Sequence, residues 1–141
     1  MKSRREFIKT TCNACMSAIA LSVFASQLSG CKTIAITNAP VENNTIKIPV
    51  SSFANKKMQI VRSTTLNDDI LLIKNSDLQY TALLMLCTHR NNSLTVSESG
   101  LYCSAHGSRF DLEGNVTYEP ATQPLKKFTT QLQNEFIIIN L

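Results

Sequence analysis

The chain of 141 residues contains no tryptophan, four glycines and two histidines. After the N-terminal segment, no window of about twelve residues has a helical hydrophobic period, which excludes a helical bundle. No run of basic residues is interleaved with aromatic residues, so the sequence lacks a nucleic-acid-binding pattern. A chain of this length has room for one hydrophobic core, and we expect a single small globular domain behind the N-terminal segment.

The net charge is also small outside the N-terminus. The formal net charge is +4, but Lys2, Arg4, Arg5 and Lys9 supply four of the fourteen basic residues. From Cys31 onward the sequence has ten Lys or Arg residues against nine Asp or Glu residues. The body of the protein is therefore almost neutral, and its charge does not indicate a nucleic-acid partner.

Residues 1–30 are typical of an export signal. A basic start, "MKSRREFIK", precedes a mildly apolar stretch and then small residues. Polar residues interrupt that stretch, which makes it a poor permanent membrane helix. The segment "SRREFIK" resembles the twin-arginine export motif through Arg4 and Arg5. That resemblance implies export of the protein in an already folded state.

The residues "LSGC", 28–31, resemble the lipobox of bacterial lipoproteins. This resemblance implies that Cys31 receives a diacylglyceryl group and becomes the first residue of the mature protein. We therefore expect an exported lipoprotein, held by its lipid to a membrane and facing the periplasm or the outside. The alternative is an N-terminal amphipathic or signal-anchor segment that is never cleaved.

Residues 31–44 are polar and irregular, and we interpret them as a tether; residues 45–141 form the predicted domain. Short apolar or alternating segments in this domain are separated by turn-forming residues. The segments are "TIKIPV", "KMQIVR", "DILLIKN", "YTALLML", "SLTV", "LYC", "FTTQLQ" and "FIIINL". The pattern predicts an all-β protein, a small antiparallel sandwich or partly open barrel.

The five cysteines divide into three groups. Cys12 and Cys15 lie in the apolar leader and would be removed with it, and Cys31 is the lipidation candidate. Only Cys87 and Cys103 remain in the body. A disulfide between them is possible in an exported protein, but it would leave the two histidines without a role.

Each of these two cysteines has a histidine close by in sequence. "CTH" occupies residues 87–89 and "CSAH" occupies residues 103–106, and the body has no other histidine. Strands predicted before each pair would deliver both pairs to loops at one end of the sheet. Two thiolates and two imidazoles suit either a zinc ion or an iron–sulfur cluster.

The two motifs resemble the Rieske [2Fe–2S] family. Its signature is C-x-H, a spacer, and C-x-x-H-G-S-x-[FY]-[DN], which "CTH" and "CSAHGSRFD" match. The later segment "GNVTYEPATQPLKKF" resembles the proline-rich loop and following strand of that family. The resemblance implies a three-sheet antiparallel β-fold with a small cluster-binding subdomain, one [2Fe–2S] cluster per chain, and electron transfer as the activity.

The resemblance also assigns roles to residues in two loops, 87–92 and 103–115. It implies that the cysteines ligate a buried iron and the histidines an outer iron, that a glycine lets the backbone approach the cluster, and that a serine hydroxyl donates a hydrogen bond to a cluster sulfide. In that order, these residues are Cys87, Cys103, His89, His106, Gly107 and Ser108.

Three positions depart from the quinol-oxidising members of the family. Asn92 and Ala105 stand where those proteins carry a pair of disulfide-bonded cysteines, and Phe110 stands where high-potential members carry tyrosine. A phenyl ring can pack there but cannot donate a hydrogen bond. The departures predict a reduction potential below that of a typical Rieske centre of a cytochrome bc complex.

Three hypotheses of function follow. The favoured one is a membrane-tethered one-electron carrier, whose redox partner is a bc-type complex, a molybdenum oxidase or a c-type cytochrome. The second is a ferredoxin component of an oxygenase, which the disulfide-free loops favour and the export signal disfavours. The third is a structural zinc module or redox sensor that uses the same four side chains. No catalytic residue is indicated for substrate chemistry by this chain alone.

Overall fold

The computed structural model describes residues 33–141, and nearly all regular structure in them is β-strand. The predicted export signal and Cys31 lie outside the described residues. Within residues 33–141, no helix is long and apolar enough to cross a bilayer. The strands are β1 Ala35–Asn38, β2 Val41–Glu42, β3 Thr45–Pro49, β4 Met58–Arg62, β5 Ile70–Lys74, β6 Tyr80–Leu84, β7 Thr95–Ser97, β8 Gly100–Tyr102, β9 Arg109–Phe110, β10 Val116–Tyr118, β11 Lys127–Gln133 and β12 Phe136–Asn140.

The strands form one large and one small sheet. The large sheet has eight strands in the order β1-β4-β5-β6-β11-β12-β3-β2, and the small sheet has the order β10-β9-β8-β7. β11 joins the two halves of the large sheet, because Lys127 and Phe128 pair with β6 and residues 129–133 pair with β12. The predicted all-β fold with a small second subdomain is confirmed. Every strand pair is antiparallel except β1 with β4.

The prediction of an irregular tether over residues 31–44 is wrong for residues 35–42, which contain β1 and β2. β1 is held by the side chain of Gln59, which is fully buried in β4. The amide oxygen of Gln59 accepts a hydrogen bond from Thr37 Oγ1 at 2.7 Å, and its Nε2 donates to Ser52 Oγ at 2.9 Å. Burying an amide requires such partners, so β1 belongs to the folded domain.

Two hydrophobic clusters meet across β5. One face of this strand packs into the core of the large sheet through Ile70 and Leu72. The other face packs against the small sheet through Leu71 and Ile73. Four consecutive apolar residues are therefore buried because both faces of β5 are covered, as expected for an internal strand. This double burial fixes the small sheet against the large one.

The small sheet requires a glycine at the start of β8. A Cβ atom added to Gly100 would lie 2.1 Å from the backbone oxygen of Phe110 in β9. That distance is far below van der Waals contact, so the close approach of β8 and β9 depends on the missing side chain.

We expect Gly100→Ala to lower the free energy of unfolding by about 1–3 kcal/mol or more, because overpacking forces the backbone to shift. Urea denaturation of the full chain would measure the change. Glu98→Ala is the control, since Glu98 is exposed in the preceding turn and surface substitutions cost little. Equal stability of the two variants would show that β9 can move away at no cost.

Candidate metal centre

The first loop, residues 87–92, follows β6 and is closed by its own cysteine. A bridge between Leu86 and Ser93 brings its ends together. The N–H of Cys87 donates to the carbonyl of Asn92 at 2.8 Å, and the N–H of Asn91 donates to the carbonyl of Cys87 at 2.8 Å. Both peptide groups of the cysteine are therefore fixed within the loop.

The second loop begins at Cys103 and repeats this pattern. The N–H of Cys103 donates to the carbonyl of Ser108 at 2.9 Å, and the N–H of Gly107 donates to the carbonyl of Cys103 at 2.9 Å. The fourth residue after each cysteine has a left-handed backbone, with φ of 53° at Asn91 and 86° at Gly107. Glycine and asparagine are the residues that tolerate this conformation.

The two closed loops bring their cysteines together inside the protein. Cys87 and Cys103 are each 1% exposed, and neither is in a disulfide. Burial alone would raise the pKa of the Cys103 thiol. The backbone N–H groups of Ala105 and His106 and the adjacent side chain of Cys87 outweigh that effect and lower the pKa. The hydrogen bonds from these three neighbours favour the thiolate, which is the form that binds metal.

The two histidines lie together on the outer side. The ring centroids of His89 and His106 are 4.9 Å apart, with the ring planes at 89°. His106 is exposed and His89 is half-buried. The Nδ1 atom of His89 is buried without a hydrogen-bond partner, which is unusual for a ring nitrogen. Coordination of a metal would satisfy it.

This donor set fits a [2Fe–2S] cluster with unlike irons. A buried thiol pair and a half-exposed imidazole pair provide two ligands for each iron. Among residues 33–141 no group of three or more His, Cys, Asp or Glu side chains is placed to hold a single metal ion. A Cβ on Gly107 would meet nothing within 4 Å, so space for a ligand is open beside its backbone.

A third segment, the proline loop of residues 119–125, is bonded to both metal-binding loops. Thr88 Oγ1 donates to the carbonyl of Gln123 at 2.7 Å. The N–H of Ala121 donates to Ser108 Oγ at 3.0 Å, and the Ser108 side chain is fully buried. Ser108 Oγ accepts this bond, so its proton remains free to be donated elsewhere. Sequence reasoning identified the loop but not these two anchoring bonds.

The predicted second loop, 103–115, is divided by β9. Beyond that strand, Asp111 closes a turn by accepting hydrogen bonds from the backbone N–H and the side chain of Asn115 at 2.7 and 2.9 Å. Burial raises the pKa of Asp111, but the contacts with Asn115, the backbone of Glu113 and the charge of Lys127 lower it overall. An aspartate before a tight turn was the available signal for this structural role.

Comparison with protein families gives one match. The family model described as "Rieske [2Fe-2S] domain" matches residues 45–129, which is more than half of the chain.

Known proteins show the same similarity. The cytochrome b6-f complex iron–sulfur subunit of Chlorobaculum thiosulfatiphilum is 26% identical over 76 residues, covering 52% of this chain and 42% of that subunit. The plasma membrane Rieske protein of Synechocystis PCC 6803 superposes with a TM-score of 0.55 at 22% identity, covering 66% of this chain and 95% of that one. A chain from the oxygenase–ferredoxin complex of carbazole 1,9a-dioxygenase gives 0.53 at 20% identity, with 70% and 94% covered. At these identities, the two structures show that the fold is shared.

Replacing either histidine should remove the cluster, because the outer iron would lose one of its two protein ligands. We expect the unaltered chain to contain iron and acid-labile sulfide and, after reduction with dithionite, to give the rhombic EPR signal of a histidine-ligated centre. His89→Ala and His106→Ala should lose most of the iron and the signal. Arg90→Ala, an exposed neighbour, should retain both. A colourless protein that contains zinc would contradict this assignment.

Proposed function

The chain belongs to the Rieske [2Fe–2S] family, and from that premise we propose that it is a one-electron carrier anchored to the outer face of a bacterial membrane. The observation that carries the proposal is the pairing of two identically closed loops. They bury Cys87 beside Cys103 and place His89 beside His106 at the surface. When bound, a Rieske cluster accepts and releases one electron at a potential within about −150 to +300 mV.

The residues around the site have different proposed roles. The two cysteines would hold the buried iron and the two histidines the outer iron. The exposed face of His106 is where a partner protein can come close to the site. Gly107 leaves room for backbone approach, and the free proton of Ser108 can be donated to a sulfide. The half-buried position of the site limits the access of water while keeping one side open.

A redox protein is the proposed partner. The relative in Chlorobaculum thiosulfatiphilum is a subunit of a cytochrome b6-f complex, which supports a membrane redox complex as the class of partner. A molybdenum oxidase or a c-type cytochrome would meet the same surface. The second candidate, a ferredoxin that serves an oxygenase, is favoured by Asn92 and Ala105, which leave the loops without a disulfide. The export signal supports the first candidate.

Export and anchoring rest on the N-terminal sequence. Arg4 and Arg5 within "SRREFIK" support the twin-arginine route, and "LSGC" supports lipid attachment at Cys31. A route for folded proteins suits a cluster that is assembled inside the cell. The two proposals come from separate parts of the sequence and support each other.

Removing the Ser108 hydroxyl should lower the reduction potential. A hydrogen bond to a charged acceptor contributes about 1.5–3 kcal/mol, which corresponds to about 60–130 mV for one electron. Donation to a sulfide stabilises the more negative reduced state more than the oxidised state, so Ser108→Ala should shift an EPR-monitored redox titration downward by up to this amount. Ser104→Ala, exposed in the same loop, is the control. A cluster that shows no reversible one-electron titration would contradict the proposed carrier.

Two sets of substitutions in the N-terminal segment test export and lipid attachment separately. Replacement of Arg4 and Arg5 by Lys should leave the cluster-loaded protein in the cytoplasm, because the twin-arginine signal is lost. Cys31→Ser should abolish incorporation of labelled palmitate and the processing of the leader. Cell fractionation and palmitate labelling measure both effects. An unaltered chain that is membrane-bound but unlabelled would instead support a retained signal anchor.

A further inference from the structure

The eight-stranded sheet has two ends, and the metal centre lies at one of them. β6 ends at Leu84 and leads to Cys87, while β5 begins beside it, with Ile70 paired to Leu84. We call this the site end. At the opposite end, the base end, β1 begins, β5 turns into β6 over residues 75–79, and β11 turns into β12 over residues 134–135.

The base end exposes large apolar side chains. Leu78, in the turn between β5 and β6, is 75% exposed, and Phe136, the first residue of β12, is 45% exposed. Neither contributes to a hydrophobic core of the domain. Covering these two side chains would remove further apolar surface from water, which favours association with an apolar phase.

The same end carries two adjacent lysines. The connection between β3 and β4 contains Lys56 and Lys57, both exposed. Neither forms a salt bridge with a carboxylate in the part of the chain that the structure describes, whereas nearby Lys74 is paired with Asp77 at 2.7 Å. Unpaired lysines beside exposed apolar side chains are the composition of surfaces that bind anionic lipid.

The path of the N-terminal chain also leads to the base end. β1 runs parallel to β4, with Ala35 opposite Gln59, and the hydrogen bond from Thr37 to Gln59 holds it there. Only residues 32–34 separate Cys31 from the start of β1. Four residue steps span at most about 14 Å. A lipid on Cys31 would therefore keep the base end close to the bilayer.

We propose that the base end rests on an anionic lipid bilayer. Leu78 and Phe136 enter the boundary between headgroups and acyl chains, and Lys56 and Lys57 contact anionic headgroups. This inference rests on the proposed lipid anchor at Cys31. The site end then points away from the membrane, so its partner is a protein domain in the aqueous phase rather than a quinol dissolved in the lipid.

The absence of tryptophan from the sequence makes single tryptophan probes unambiguous. Leu78→Trp and Phe136→Trp would place a probe at the base end. Tyr118→Trp is the matched control, since Tyr118 is 64% exposed and pairs with Arg109, directly after the second loop and therefore near the site end. The lipidated, cluster-loaded proteins would be reconstituted in vesicles of phosphatidylglycerol and phosphatidylcholine, with or without brominated acyl chains.

We expect the probes at positions 78 and 136 to emit at shorter wavelength in vesicles than in detergent. Bromine should remove about half or more of their emission, because interfacial side chains lie about 5–10 Å into the headgroup and acyl boundary. The probe at position 118 should keep a solvent-exposed spectrum and lose little emission to bromine. Its response measures any effect of the cluster on the fluorescence.

Charge neutralisation tests the lysines separately. Lys56→Gln with Lys57→Gln should reduce the bromine quenching at position 78, and added salt should do the same, since anionic headgroups act through screened charge. Lys126→Gln with Lys127→Gln is the control. These two lysines are also adjacent and exposed, but they lie at the start of β11, at the site end.

Four outcomes would overturn the inference. Probes at positions 78 and 136 that bromine leaves unquenched, in membrane-bound protein with an intact EPR signal, would reject the lipid contact and leave the proposed function standing. Quenching at position 118 instead would show that the site end faces the bilayer. If an aqueous quencher fails to reach the probes at positions 78 and 136 in native membranes but reaches them in pure lipid vesicles, the base end contacts a membrane protein rather than lipid. Loss of the chain from the membrane fraction would reject the anchor as well.

Discussion

Each cysteine of the metal centre uses its own peptide group to close the loop that it begins. Its N–H bonds to a carbonyl five residues later, and its carbonyl accepts from an N–H four residues later, at 2.8–2.9 Å in both loops. This closure requires a left-handed backbone at Asn91 and Gly107. It also fixes the direction of each cysteine side chain, and both thiols are buried. The histidine positions in the two loops follow from the same closure.

The positions of the two loops depend on the packing of the sheets that carry them. β5 is buried on both faces, with Ile70 and Leu72 in one hydrophobic cluster and Leu71 and Ile73 in the other. Burial of each such side chain stabilises the fold by about 1.5–3 kcal/mol. The small sheet therefore cannot separate from the large sheet without exposing the second cluster, which includes both cysteines. Site geometry and domain stability depend on the same contacts.

Much of this could be predicted from the sequence. Each of the eight apolar segments overlaps a strand, because alternation and short apolar runs reflect burial directly. The spacing of Cys87, His89, Cys103 and His106 was sufficient to predict that the structure gathers them. β1 and β2 were missed because they are short edge strands of four and two residues without a clear hydrophobic pattern. β1 is held by the side chain of Gln59 in β4, and β2 by pairing with β3. The bonds from the proline loop were missed because they join residues far apart in sequence, such as Thr88 and Gln123.

The parallel pairing of β1 with β4 determines which end of the domain the N-terminal chain enters. β4 begins at the base end and finishes near the metal centre, and β1 runs beside it in the same direction. An antiparallel β1 in that place would begin at the site end. The parallel pair instead places Ala35, the first residue of β1, at the base end of the sheet. The buried side chain of Gln59 contributes to this pairing, because its amide oxygen accepts a hydrogen bond from Thr37 in the middle of β1.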